Sequence, residues 1–270
     1  MENVKTASGA QLNNDLIETV LEAADKIEDK IVSITPPSDT LVDLPAGYIT
    51  PDGGVSKTAE VRELNGRDEE AVGKAGGISK AFSTILNRAT VSIGGVPATE
   101  EMLNSLLLGD RDAIMLGIYK ATFGHEVELP GLCGGCGEIK TVQIDLNRDV
   151  ETKILADPIE DRVFTVRGRN KEFLVSLPNG ALQKELANAN DKTAGERNTI
   201  LLHHTVLEID GTPVLGKQQL QALGIMDRNL IADEIASRLP GPQFEDMVLV
   251  CPDCNGEVVV PFSLGALFRF

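Results

Sequence analysis

The sequence predicts an α+β protein built from two tandem modules of similar plan, each made of short helices and β-hairpins. A zinc-ribbon-like site of four cysteines joins the modules, and an amphipathic helix precedes them. Three observations carry this. The four cysteines of the 270-residue chain form two Cys-x-x-Cys pairs, Cys133/Cys136 and Cys251/Cys254. The pairs lie 118 residues apart, from Cys133 to Cys251, where a single ribbon would place roughly 15–20. Landmarks of the second half fall on those of the first at nearly constant offset.

That register can be followed along the chain. Thr84-Ile85-Leu86 matches Thr199-Ile200-Leu201, and Ile93-Gly94-Gly95-Val96-Pro97 matches Ile209-Asp210-Gly211-Thr212-Pro213. Asp110-Arg111-Asp112 matches Asp227-Arg228-Asn229, and the first cysteine pair matches the second. Further upstream, Leu44-Pro45-Ala46-Gly47 is paired with Leu177-Pro178-Asn179-Gly180 after a length change. The expected division is therefore 1–43 for the helix and linker, 44–150 for the first module and 151–270 for the second. Repeats of about 110 residues fit compact domains and are too long for solenoid units.

Within residues 12–32, Leu16, Ile17, Val20, Leu21, Ala24, Ile27 and Ile31 recur at three- and four-residue spacing between acids. This is the stripe of an amphipathic helix. Pro36 and Pro37 end it, and the helix either docks on a neighbouring subunit or packs on its own module. Each module then opens on a Leu-Pro-x-Gly turn. In the first, an extended stretch reaches Glu60–Leu64, and an acid-rich helix start follows at Asp68, Glu69 and Glu70. Ile78, Phe82, Ile85 and Leu86 mark a helix running to about Asn87, and Val91–Val96 a strand and turn matched by Val206–Gly211. Two short helices come next. Thr99 and Asp110 are expected to cap them, with Asp227 capping the counterpart in the second module, and Gly124 ends the first module's last helix. Last come hairpins at 127–129 with 140–146 and at 247–250 with 257–262, each carrying a cysteine pair at its tip.

Two residues between thiolates let both sulfurs face one ion from a single turn, and two such turns supply the four soft ligands of a tetrahedral zinc. Cys133, Cys136, Cys251 and Cys254 are the expected ligands of one structural zinc. A redox pair would sit where a helix opens after a strand, and a catalytic zinc would recruit a histidine or carboxylate. His125 precedes Glu126 directly, which does not give the His-x-Glu of zinc deaminases. His125, His203 and His204 adjoin apolar runs and read as core or surface residues rather than ligands. The glycine pairs at 53–54, 76–77 and 94–95 precede no Lys-Ser/Thr, so they are not phosphate loops. Nothing in the sequence reads as an active site.

A net charge of −16 and a pI near 4.6 argue against a surface that neutralises phosphates. No apolar run reaches the length of a membrane span, and no signal pattern opens the chain. Paired cysteines then read as metal ligands of an intracellular protein.

Several motifs in order carry a resemblance: Val61-Arg62-Glu63-Leu64-Asn65-Gly66-Arg67-Asp68, Ile93-Gly94-Gly95, Leu108-Gly109-Asp110-Arg111-Asp112, and Thr122-Phe123-Gly124-His125-Glu126-Val127 before Cys133. This run resembles the T-even-type phage baseplate family of hub subunits and hub assembly chaperones. Ser176–Gly180, Cys251-Pro252-x-Cys254 and Val260–Phe270 are similar to related phage zinc-ribbon proteins. The departures are the Gly134-Gly135 pair in place of the common Pro-x, and Asn255 before the glycine of the second pair. The resemblance implies a non-enzymatic structural component or assembly chaperone, partnered by hub or tail-tube proteins. It would act in the host cytoplasm during assembly or in the virion tail; the charge argues separately against a nucleic-acid partner, and the lack of a spanning run against a membrane. The competing classes are a nucleic-acid-binding zinc ribbon and a zinc hydrolase or deaminase.

Overall fold

Hairpins with short turns and short helices alternate along the chain, and the computed structural model describes them over residues 40–189 and 191–268. The amphipathic helix expected at 12–32 lies outside the described residues. The first half runs β1 (Leu41–Ile49), β2 (Val55–Val61), α1 (Gly66–Gly73), α2 (Ile78–Ala89), β3 (Thr90–Ile93), β4 (Val96–Pro97), α3 (Glu100–Ser105), α4 (Leu108–Phe123), β5 (Glu126–Cys133) and β6 (Ile139–Asp145). After β7 (Thr152–Lys153), the second half runs β8 (Val163–Arg167), β9 (Glu172–Ser176), α5 (Gly180–Ala187), α6 (Ala194–Thr205), β10 (Val206–Ile209), β11 (Thr212–Pro213), α7 (Lys217–Gln221) and α8 (Ile225–Arg238). It ends with β12 (Gly241–Pro242), β13 (Met247–Val250), β14 (Glu257–Val260) and α9 (Leu264–Phe268).

The protein is α+β, as expected. Each half forms an antiparallel four-stranded sheet, ordered β1-β2-β3-β4 and β11-β10-β9-β8. The two orders are the same arrangement: a leading hairpin, then a short hairpin added after two helices. Side-chain bonds repeat with it. Thr90 Oγ1 donates to the Leu86 carbonyl at 2.7 Å, and Thr205 Oγ1 to Leu201 at 2.8 Å. Arg111 Nη1 donates to the Leu103 carbonyl at 2.5 Å, and Arg228 Nη1 to Leu220 at 2.9 Å.

Two details correct the expectations. Asp110 and Asp227 are not N-caps; Leu107 and Gly224 hold those positions. Each aspartate instead reaches out of its helix to the leading hairpin of its half. Asp110 Oδ1 accepts from the Ala46 and Gly47 amides at 2.7 and 3.3 Å, and Asp227 Oδ1 from the Arg169 amide at 2.9 Å. Burial pushes the Asp110 carboxyl up from its ordinary pKa, against the pull of those amides. The second correction concerns the Leu-Pro-x-Gly pairing. Leu44–Gly47 lies inside β1, at an irregularity between Asp43 and Tyr48 where Gly47 takes φ +79°. Leu177–Gly180 instead leads into α5, with Asn179 as N-cap. Its counterpart in element order is Leu64-Asn65-Gly66, where Asn65 caps α1. A short glycine-bearing motif serves a strand bulge and a helix start equally well, so likeness of sequence misplaced it.

The first core gathers Ile85, Ile93, Leu103, Leu106, Ile114 and Ile118 beneath β1 and β2. The second gathers Phe173, Val175, Leu202, Val206, Leu220 and Ile231. Helix α4 belongs to more than one neighbourhood: Ile114 and Ile118 face the first core, while Leu116 and Tyr119 face the sheet that carries the cysteines. A helix apolar on several sides has no single stripe to betray it.

A charged knot closes the base of the first core. Asp68 is fully buried and sits between Arg62 (2.6 Å) and Arg88 (2.7 Å), while its carboxylate also accepts the Asn65 amide in a capping box. The Arg62 hydrogen bond, more than any other contact, holds its pKa well below the usual carboxylate range. Because the folded pKa lies below the unfolded one, this stabilisation is complete above about pH 4 and fades as pH falls through the folded value. Asp68→Asn is expected to cost about 2–3 kcal/mol, less than a fully buried pair because both arginines are partly solvated. Urea unfolding at pH 7 and pH 3 checks it: the gap between wild type and variant should shrink at pH 3.

Candidate metal centre

The cysteines sit where each hairpin must reverse with only a few residues. In the first turn the Cys133 carbonyl accepts the Gly137 amide at 2.9 Å, and the Cys133 amide donates to Glu138 at 2.9 Å. In the second, the Cys251 carbonyl accepts the Asn255 amide at 3.0 Å, and the Cys251 amide donates to Gly256 at 2.8 Å. The two turns are built alike. Both need a left-handed residue one place after the second cysteine, filled by Gly137 (φ +71°) and Asn255 (φ +56°). Asparagine is among the few side chains that tolerate this region, which explains the departure from glycine in the second turn.

Antiparallel pairing of β14 with β5 then brings the turns together. Val258 lies opposite Cys133, Val259 opposite Leu132, and the Gly134 amide donates to the Glu257 carbonyl at 2.9 Å. The result is one sheet, ordered β13-β14-β5-β6, made from the last hairpins of both halves. All four sulfur atoms lie within 4.8 Å of one another, and Cys133 Sγ and Cys254 Sγ are 3.5 Å apart. A tetrahedral ion with about 2.3 Å bonds to sulfur would separate its ligands by about 3.8 Å, so the cluster matches such an ion in size. Cys133 and Cys251 are buried, Cys136 and Cys254 exposed.

The amides of the turns face the sulfurs. The Cys136 amide, and then that of Gly135, draw the Cys133 thiol down to about 6. The Gly256 amide acts the same way on Cys254 from 3.4 Å, but the crowding of Cys133, Cys251 and Cys136 outweighs it and pushes that thiol up to about 12. Cys136 is also raised: the Glu138 amide lowers it, but Cys133 and burial prevail. Four thiols this close cannot all ionise on their own. A bound dication removes the conflict, and the amides already point at the charge it would leave on sulfur.

Two glycines permit the approach. A Cβ on Gly135 would lie 2.9 Å from Cys254 Sγ and 3.3 Å from Gly256 Cα, and one on Gly256 would lie 3.0 Å from Gly135 Cα. Gly135 is therefore a packing requirement of this clasp, while the Gly134 amide, which donates to the Glu257 carbonyl, leaves no place there for the common proline. Lys140 Nζ adds a bridge, pairing with Glu138 beside the first turn and with Asp253 of the second at 2.6 Å. The sequence marks Gly135 only as part of a departure from the common motif, and does not mark Lys140. The doubled glycine was the available signal for the first, while the second depends on strand pairing.

The four expected ligands converge, and the group contains no histidine or carboxylate. His204 lies elsewhere, its Nε2 2.6 Å from Glu185 Oε2. Among the described residues, this is the one cluster of such side chains placed to hold a metal ion. Comparison with protein-family models, curated proteins and solved structures gave no match. No helix among the described residues is long and apolar enough to cross a membrane.

Proposed function

We propose that the chain is a non-enzymatic adaptor of a tailed-phage baseplate, a hub component or hub assembly chaperone, whose two halves are clasped by one structural zinc. The observation that carries the adaptor reading is the origin of the ligands: two from the last hairpin of each half, with their strands paired in one sheet. Four thiolates complete a tetrahedral shell, which suits a structural zinc rather than one that must keep a position open for water. Cys133, Cys136, Cys251 and Cys254 would hold the ion, and the turn amides would orient and stabilise the thiolates. The ion would supply cross-linking and charge neutralisation; the residues around it supply rigidity. The baseplate assignment rests on the ordered motifs from Val61 to Gly137 and from Ser176 to Phe270, together with an acidic surface unsuited to nucleic acid.

The test is co-expression of the metal-loaded chain with the hub and tail-tube proteins of a T-even-type phage. Co-elution in fixed stoichiometry through size exclusion is expected. Salt-sensitive retention of DNA or RNA, with no co-elution, would overturn the reading in favour of a nucleic-acid ribbon.

A further inference from the structure

Within the chain the two halves meet head to tail. The start of α5, in the second half, packs on the segment that leads into α4 in the first. Leu107 is bridged to Asn179, the Leu108 amide donates to the Pro178 carbonyl at 3.2 Å, and the Gly180 amide donates to the Leu106 carbonyl at 2.9 Å. Side chains close the contact: Arg111 Nε donates to Gln183 Oε1 at 2.7 Å, and Lys184 pairs with Glu100 at 2.7 Å. Gly180 is required there, because a Cβ would fall 2.5 Å from Arg111 Nη1 and 2.8 Å from the Leu103 carbonyl oxygen.

Both surfaces of this contact recur in the other half, where each is open. The counterpart of α5 is α1: both have eight residues, begin on glycine and are capped by asparagine. The counterpart of the approach to α4 is the approach to α8, since Arg228 bonds Leu220 as Arg111 bonds Leu103. Leu107, Gly109 and Arg111 are buried, whereas Gly224 is exposed and Arg228 partly so, and Ile225 and Met226 are 76% and 72% exposed. Likewise Gly180 is buried, whereas Asn65 and Gly66 are exposed. A Cβ on Gly66 would meet nothing within 4 Å, so packing within the described chain gives no reason for a residue that weakens a helix.

The two open surfaces complement each other. In the shared register Glu69 stands for Gln183, Glu70 for Lys184, and Lys217 for Glu100. Docked as α5 docks, α1 of one chain would set Glu70 against Lys217 and Glu69 against Arg228 of another. The outer ion pair is inverted on both sides and so is kept. The Arg228 Nη atoms are held by Leu220, Gly195 and Thr199, but Nε, the atom Arg111 turns to Gln183, has no partner among the described residues. Gly66 and Ile225 open their helices, as Gly180 and Leu108 do, so their amides lack intrahelical acceptors. Met226 replaces the glycine that admits Pro240, and the first half has no strand like β12 to need that space, because Gly124 leads directly to β5.

We propose that the approach to α8, with Lys217, Ile225, Met226 and Arg228, is the docking surface for α1 of a second copy of this chain. The contact repeats between chains the head-to-tail mode that joins the halves within one. It uses two different surfaces and leaves one of each open, so it closes into a ring or extends as a filament rather than stopping at a two-fold dimer. The inference rests on the likeness of the halves and stands whichever assembly the chain serves.

Sedimentation velocity of the zinc-loaded full chain over a concentration series tests it. The wild type should form species larger than one chain that grow with concentration and weaken with salt. Glu70→Arg spoils the α1 surface and Ile225→Asp the α8 surface. Each variant alone should associate at least about tenfold more weakly while keeping its metal and melting temperature. Mixed in equal amounts they regain one intact contact, and should form a dimer with one chain of each kind and nothing larger. A wild type that stays a single chain at every concentration, variants that assemble as well as the wild type, or a mixture no more associated than its parts would overturn the proposal. So would a two-fold dimer that neither substitution weakens.

Discussion

Cys251→Ser is expected to strip the metal from the whole chain, not from one half of it, and to lower stability by several kcal/mol. Cys251 is buried, lies within 4.8 Å of the other three sulfurs, and is the residue from which the second metal turn hangs. Three thiolates and a hydroxyl bind zinc far less tightly than four thiolates. Cys133 and Cys251 are 118 residues apart in sequence, so a metal shared by the two pairs would close a long loop. A cross-link over that length contributes about 4–5 kcal/mol in the chain-entropy picture. The β14–β5 pairing involves only two residue pairs, Val258 with Cys133 and Val259 with Leu132, and should separate when the metal leaves. Metal analysis with thermal melting in the presence and absence of a chelator checks this. The variant should melt where the chelated wild type melts, and the chelator should not move it further.

Gly109→Ala should be nearly as damaging through a different mechanism. Gly109, in the first turn of α4, meets β12 of the second half backbone to backbone. A Cβ there would fall 1.7 Å from the Pro240 carbonyl oxygen and 2.9 Å from the Gly241 amide nitrogen. The obstacle is main chain, and Gly241 is itself held at φ +115° with its own Cβ position 2.5 Å from Gly109 Cα. Neither side can yield without separating the halves. The expected cost is about 3–4 kcal/mol, at the upper end for overpacking because no side chain can swing away. The metal should stay bound in the cold, since the cysteine turns are untouched. Urea unfolding together with metal content distinguishes this from the cysteine variant: stability falls while stoichiometry holds.

The cysteine site was legible because its chemistry is local. Two residues between cysteines and a left-handed residue after them specify each turn without knowledge of the rest of the chain. Helix α2 and the hairpins at 126–145 and 247–260 were legible through periodicity and turn chemistry. The β8–β9 hairpin was missed although Val163–Arg167 and Glu172–Ser176 are β-branched and aromatic runs around Gly168. The roles of Asp110 and Asp227 were misread because a carboxylate in the first turn of a helix suits a cap by sequence. Only the tertiary approach of the leading hairpins reveals the amides it accepts from. The contact between Gly109 and Gly241 and the Lys140 bridge join distant residues, and nothing in their neighbours announces them.

The central claim is that one metal ion is held jointly by the two halves. Native mass spectrometry of the full chain, paired with X-ray absorption at the metal edge, tests it most directly. The account predicts one zinc per chain with four sulfur ligands at about 2.3 Å and no nitrogen or oxygen in the shell. Two ions per chain, a shell containing nitrogen or oxygen, or a fully folded chain that binds no metal would contradict it.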